Sequence, residues 1–332
     1  MQAVKLVAAH DMQLVDMPDP EPGPGDVVVR VDGCGICGSD LSSFKVGLFT
    51  DTVPGHELAG TVAAVGAGVA SWKPGDVTVI DPKTPCGMCD DCRAGEPHRC
   101  AMALTSGIGF ARPGGFAELV LSPAHLLHQV PDGVDVDDAC MVEPLSVAIH
   151  GIERAAMPDG AHAIVIGLGP IGLFTVAALR ARGVDTVVGV DPVEDRRRIA
   201  LDLGASNVVA AVHEVRGVTQ PAYAVFECSG RTEVLQAATD LVAPGGKLVM
   251  VGVPFGEAKV APLMWVTREI DIVGSIASTE DDFVASTRLL AARPEIARRV
   301  ITKRVPLAEV GAAFEELLAP TTGAKIVVDP RL

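Results

Sequence analysis

The sequence predicts an α/β protein in which a β-rich, irregular barrel-like domain is joined to a domain built on a doubly wound parallel sheet. Three observations predict this. The chain has 332 residues, too many for one ordinary hydrophobic core. Residues 1–145 form a series of short β-favouring runs cut by Pro and Gly clusters. From about residue 146, strand-like and helix-like segments alternate, the pattern of a parallel sheet with helices on both faces.

In the first region the strand-like runs are Val27 to Val31, Leu58 to Val65, Asp76 to Ile80 and Phe116 to Leu121. They are separated by turns such as Pro22-Gly23-Pro24-Gly25 and Arg112-Pro113-Gly114-Gly115. In the second, strands are expected at Ala163 to Ile166, Thr186 to Val190, Val208 to Val212, Ala222 to Glu227, Lys247 to Val253 and Ile270 to Ser275. Helices are expected at Ile171 to Ala181, Val193 to Leu203 and Arg231 to Val242. The tail returns to a helix, Ala308 to Leu318, and a strand, Ala324 to Val328. The expected domains are therefore 1–145 with 290–332, and 146–289. The link His213 to Pro221 is short for a parallel crossover, which normally takes a dozen or more residues. Its nine residues can reach ~30 Å when extended, so the crossing needs no helix.

Formal net charge is −15. An acidic surface repels phosphate backbones and anionic lipid, which excludes nucleic-acid and membrane partners from the expectation. The start, Met1-Gln2-Ala3-Val4-Lys5, lacks the layout of a signal peptide, and no apolar run reaches the ~20 residues of a membrane span. Four of the eight cysteines are clustered at metal-type spacing, so a reducing, cytoplasmic setting is expected.

Gly167-Leu168-Gly169-Pro170-Ile171-Gly172 follows a strand and opens a helix, and Asp191 ends the next strand 19 positions after Gly172. That context makes the glycine pattern a dinucleotide-binding signature of the Rossmann type. Glycines allow close backbone approach to a pyrophosphate, and the helix N-terminus supplies N–H groups and positive dipole. Asp191 can accept hydrogen bonds from ribose hydroxyls and would repel a 2′-phosphate, so NAD is expected over NADP. Helical spacing points Arg196, Arg197 and Arg198 in different directions, and they read as solvated helix surface. Cys228, Val251, Gly252, Val253 and Ser275, around the ends of later strands, are further cofactor-side candidates. Cys228 is at the same time read, with Cys34 and Cys140, as a packing residue. His150 lies in an apolar helix-like stretch and is expected to pack.

Cys86-x2-Cys89-x2-Cys92-x7-Cys100 suits one zinc held by four thiolates, a closed shell that leaves no position for chemistry. Such a site staples a loop, here about 84–102, that has no core of its own. Cys37, His56 and Glu143 are too far apart in sequence for spacing to bring them together.

The order Cys37-Gly38-Ser39-Asp40, Gly55-His56-Glu57, four clustered cysteines, Glu143-Pro144-Leu145 and the glycine motif resembles the zinc-containing medium-chain alcohol/polyol dehydrogenase family. Glu143-Pro144-Leu145 resembles its sorbitol, butanediol and threonine dehydrogenase branches. The resemblance covers essentially the whole chain. It implies a GroES-like catalytic domain, a Rossmann cofactor domain, an active site in the cleft between them, and two zinc ions per chain. It further implies Cys37 and His56 as catalytic zinc ligands, with Glu57 or Glu143 as the third. Asp40 is implied to orient the histidine, and Ser39 to pass on the substrate proton. The implied reaction is hydride transfer between a secondary alcohol, polyol or amino alcohol and NAD. The competing readings are a zinc-free quinone or enoyl reductase and a non-catalytic nucleotide-binding protein. One departure stands out: Ser42 occupies a place where the family often has a histidine of the proton relay. Leu48, Phe49 and Phe110 read either as an apolar pocket wall or as core. A homotetramer or homodimer is expected by the same resemblance.

Overall fold

The computed structural model describes residues 1–318 and 323–332. Met1–Glu143 and most of the tail from Leu290 onward form one compact unit, and Pro144–Leu289 forms the bulk of the other.

The first unit begins with an antiparallel pair, β1 (Gln2–Ala8) and β2 (Asp11–Asp16), turning at His10. Sequence reasoning missed this pair because β2 is half polar, with Asp11, Gln13 and Asp16 among its six residues. The main sheet is organised by β3 (Asp26–Gly35), whose Val27, Val28, Val29 and Val31 are all buried. Consecutive β-branched residues favour a strand covered on both faces. β4 (Glu57–Val65) pairs antiparallel with β3, setting Glu57 opposite Gly35 and Leu58 opposite Cys34. β5 (Val77–Ile80), β6 (Leu119–Pro123) and β7 (Leu127–Gln129) extend the sheet, β6 starting three residues later than expected.

The second unit holds a six-stranded parallel sheet. Its strands are β8 (Ala163–Ile166), β9 (Val187–Val190), β10 (Asn207–Val209), β11 (Ala222–Glu227), β12 (Val242–Met250) and β13 (Asp271–Gly274). They run in the order β10-β9-β8-β11-β12-β13. The chain therefore reverses its direction of travel across the sheet between β8 and β11, a switch point at which such sheets bind ligands. The short link before β11 contains a 3-10 helix, Val212–Gly217, anchored by the fully buried Val215. The expected helix Arg231 to Val242 is instead a 3-10 turn, Thr232–Val234, followed by an α-helix, Leu235–Asp240, with Val242 opening β12.

The tail returns to the first unit as β14 (Ile301–Val305) and β15 (Lys325–Val328), with the helix Val310–Leu318 before β15. β14 escaped sequence reasoning because Thr302, Lys303 and Arg304 break its apolar pattern. β15 pairs with β3, Val327 opposite Gly35 and Val328 opposite Cys34. Phe314 of the tail helix contacts Phe44 and Phe116 edge-on, at centroid distances of 5.1 and 5.8 Å. All three rings are essentially inaccessible to solvent. Phe314→Ala is expected to cost ~3–5 kcal/mol, read as a lower urea midpoint for the first unit.

Candidate functional site

Register creates the first site. β3 ends at Gly35 where β4 begins at Glu57, so Cys37, just after one strand, meets His56 and Glu57 at the start of the other. One ligand atom from each of Cys37, His56 and Glu57 lies within 4.8 Å of the others. Cys37 is the N-cap of the helix Gly38–Val46, and its backbone N–H donates to Asp40 Oδ2 at 3.0 Å. Asp40, buried, places Oδ1 3.3 Å from His56 Nδ1. Ser39 is exposed, with Oγ 3.5 Å from His56 Nε2. Phe110 stacks on the His56 ring at 4.8 Å, and Phe49 meets Phe110 edge-on at 5.8 Å. Leu48 and Phe49 are 51% and 38% exposed, so of the two readings for these side chains, core is excluded. Ser42 Oγ donates to Gly38 O on its own helix.

Behind the site lies a residue that sequence reasoning missed. Lys325 Nζ donates to both Glu57 carboxylate oxygens, at 2.8 and 2.6 Å, and to Ile36 O at 2.9 Å. Both partners are buried. Burial opposes the ammonium, but the Glu57 charge outweighs it and raises the Lys325 pKa above its usual value. Gly35 makes room: a Cβ there would meet Glu57 Oε2 at 2.0 Å. Glu143, in the first turn of the helix Val142–Ala155, lies outside the 4.8 Å group of ligand atoms. Burial pushes its carboxyl up to about 7, against the attraction of His56. Burial also disfavours charge on His56, yet Asp40 and Cys37 together hold the imidazole well above its ordinary pKa. A thiol, an imidazole and a carboxylate that favour added positive charge are a fitting donor set for a zinc ion.

The second cluster joins one ligand atom each from Cys86, Cys89, Cys92 and Cys100 within 4.8 Å. Short turns hold them, the helices Asp90–Arg93 and Ala101–Thr105 and the 3-10 turn Pro97–Arg99. Cys100 Sγ accepts from the N–H groups of Cys86 and Met102, and Cys86 Sγ from those of Met88 and Cys89. The N–H of Cys86, first, lowers Cys100 to about 6, while desolvation pushes Cys92 up to about 12. Four sulfurs so close share protons unequally until a cation takes their place, which fits a structural zinc.

In the second unit Gly167 adopts φ +88°, and a Cβ on Gly172 would sit 1.8 Å from Gly167 O. Gly169 caps the helix Pro170–Ala181, with Pro170 and Ile171 in its first turn. A Cβ on Gly169 would meet nothing within 4 Å, so the turn has open space above it. Asp191 is buried; its Oδ2 accepts from Leu168 N and its Oδ1 from Val193 N, each at 2.8 Å. The arginines do not share one solvated face. Arg198 is exposed and pairs with Asp195, whereas Arg197 donates to Asp191 O. Arg196, with a side chain only 15% exposed, lies 3.9 Å from Asp191 Oδ2 and donates to Gly323 O. Successive helical residues diverge by about 100°, so Arg196 turns toward the strand end. Cys228 is half-buried, 3.9 Å from Thr175 Oγ1, and burial raises its thiol. Gly252 touches the backbone of Gly230, and Val253 is exposed. Ser275 Oγ is buried with no hydrogen-bond partner among the described residues. An open glycine turn at a helix N-terminus and an orphaned hydroxyl fit a dinucleotide. His150, read as packing, is buried with Nδ1 2.8 Å from Asp282 Oδ2.

Comparison with known proteins agrees with this chemistry. The family described as "Alcohol dehydrogenase GroES-like domain" matches residues 23–132, and "Zinc-binding dehydrogenase" matches residues 170–292. The chain is 32% identical to D-altritol 5-dehydrogenase of Agrobacterium fabrum over 93% of this chain and 94% of the relative. It is 34% identical to sorbitol dehydrogenase of Gallus gallus, over 94% and 92% respectively. A solved zinc-binding dehydrogenase of Sinorhizobium meliloti, described as putative and bound to NADP, superposes with a TM-score of 0.90 at 31% identity, covering 99% of both chains.

Lys325→Met is expected to cost ~3–5 kcal/mol by leaving the Glu57 carboxylate buried and unpaired. Adding Glu57→Gln should recover much of that loss, and a urea-denaturation double-mutant cycle measures the coupling.

Proposed function

The chain belongs to the zinc-containing medium-chain polyol dehydrogenase family, and from that premise we infer that it is a zinc-dependent, NAD-linked dehydrogenase of secondary alcohols and polyols. The observation that carries the reading is the gathering of Cys37, His56 and Glu57 within 4.8 Å in a chain that also bears the glycine turn and Asp191. Cys37, His56 and a carboxylate, Glu57 or Glu143, would hold a catalytic zinc, and the four clustered cysteines a second, structural one. Zinc supplies Lewis acidity toward an alcohol oxygen, and NAD the hydride acceptor.

The chain's own residues orient and deprotonate. The Asp40 carboxylate, 3.3 Å from His56 Nδ1, turns its charge to that nitrogen and leaves Nε2 for the metal. Ser39 Oγ accepts the alcohol proton as its own hydroxyl proton passes to water, which its exposure allows without a histidine at position 42. Gly167, Gly169, Pro170, Ile171 and Gly172 seat the pyrophosphate. The Asp191 carboxylate disfavours a 2′-phosphate, which supports NAD over NADP. Eight free cysteines, four at metal spacing, support a reducing cytoplasmic setting. Phe255, Leu263 and Val266, each at least 69% exposed, support assembly as a homodimer or homotetramer.

A screen of polyols, diols, amino alcohols and sugar alcohols with NAD⁺, followed by NADH absorbance, is expected to find turnover that Cys37→Ala reduces to background. NAD affinity should stay within about twofold in that variant, since Cys37 takes no part in the glycine turn or in Asp191; a parallel loss of NAD affinity would contradict the assigned roles. Metal analysis is expected to give two zinc ions per chain, as the two donor sets require. A chain that turns over alcohols with none, or with the cysteine-cluster zinc alone, would return the zinc-free reductase reading.

A further inference from the structure

The second unit contains a buried carboxylate that the reaction outlined above does not use. Glu227 is the last residue of β11 and is fully inaccessible to solvent. Among the described residues no cation is paired with it. Its side chain instead accepts from three donors of the segment that follows: Ser229 N at 2.7 Å, Ser229 Oγ, and Gly230 N at 3.1 Å to Oε1 and 3.2 Å to Oε2. Its backbone oxygen accepts from Val251 N and Gly252 N, at 2.9 and 2.8 Å. The next residue, Cys228, donates its N–H to Ile166 O at 2.8 Å. The carboxyl ends of β8, β11 and β12 are therefore tied together at Glu227.

This knot sits where β8 and β11 are neighbours, the switch point of the sheet. The 229–230 segment it holds lies directly against the glycine turn. A Cβ on Gly167 would meet Ser229 N at 2.7 Å. A Cβ on Gly252 would meet Gly230 N at 2.3 Å and Glu227 Oε2 at 2.9 Å. Gly230 and Gly252 thus close on the carboxylate, and Gly167 closes on the loop that it holds.

An uncompensated buried carboxylate costs stability. Three charge-assisted hydrogen bonds from one loop offset part of that cost and fix the loop. A neutral amide of the same shape would keep the Oε1 contacts through its carbonyl oxygen, but it loses the charge that strengthens them and turns an NH2 toward Gly230 N in place of Oε2. Resting on the NAD-linked reading above, we propose that Glu227 is a positioning residue for the dinucleotide: its carboxylate holds Ser229 and Gly230 against Gly167 in the shape that receives the cofactor.

The test is NAD⁺ binding by calorimetry to the zinc-loaded full chain, with steady-state kinetics alongside. Glu227→Gln is expected to raise the NAD⁺ Kd and KM about tenfold. Zinc content, and the alcohol KM at saturating NAD⁺, should stay within about twofold of wild type. Ser229→Ala, which removes one bond to the carboxylate and leaves the backbone intact, should raise the NAD⁺ Kd about threefold. Glu227→Asp, which keeps the charge but shortens the reach, should fall between Glu227→Gln and wild type. A folded Glu227→Gln chain with an NAD⁺ Kd within twofold of wild type overturns the inference, as does an equal loss of zinc. If Glu227→Gln does not fold, an unchanged Kd in Ser229→Ala overturns it. A wild-type chain that binds no dinucleotide overturns the functional reading and this inference together, whereas wild-type binding matched by the variants overturns this inference alone.

Discussion

The first unit's site depends on one buried ion pair. Lys325 reaches Glu57 across 268 positions of sequence, because β15 and β4 both pair with β3. Two unit charges 4 Å apart attract by about 4 kcal/mol at an effective dielectric of 20, yet removing both from water costs several kcal/mol per ion. The pair therefore adds little net stability. What it does is fix charge and position. Asp40 and Cys37 raise the His56 imidazole well above its ordinary pKa against its burial, so the space in front of the pair favours added positive charge.

That dependence explains which parts of the site were legible in the sequence. The four-cysteine run and the glycine turn are short-range patterns, so spacing alone reports their chemistry. Cys37, His56 and Glu57 converge only through strand register, and motif order supplied what spacing lacked. Lys325 gave no signal, since a lone lysine opening an apolar strand reads as a strand end at the surface. Gly35 was equally silent, because its need for a bare Cα arises from a carboxylate on a neighbouring strand. Arg196 and Arg197 read with Arg198 as a solvated face, although Arg196 approaches the Asp191 carboxylate and Arg197 donates to its backbone oxygen.

The fold shows the same division. Runs such as Val27 to Val29 and Ala163 to Ile166 are buried on both faces and declare themselves by composition. β2 and β14 carry polar residues at half or more of their positions and exist because a partner strand satisfies their backbone groups. Local propensity does not contain that information; pairing does. The tail follows the same logic. Its helix looks like any apolar helix until Phe314 is found closing the space between Phe44 and Phe116.

Glu57 and Glu227 set the same physical problem and solve it differently. Each is a carboxylate at the end of a strand, removed from water. Glu57 is neutralised by an ammonium whose three donors go to Glu57 and Ile36 O. Because the cation belongs to another strand, that solution fixes how β4 sits against β15. Glu227 is satisfied by N–H and O–H dipoles of the two residues just beyond it, so its solution fixes the shape of a loop. The second arrangement suits a surface that must present backbone to a ligand, and the first suits a wall that must stand still behind one.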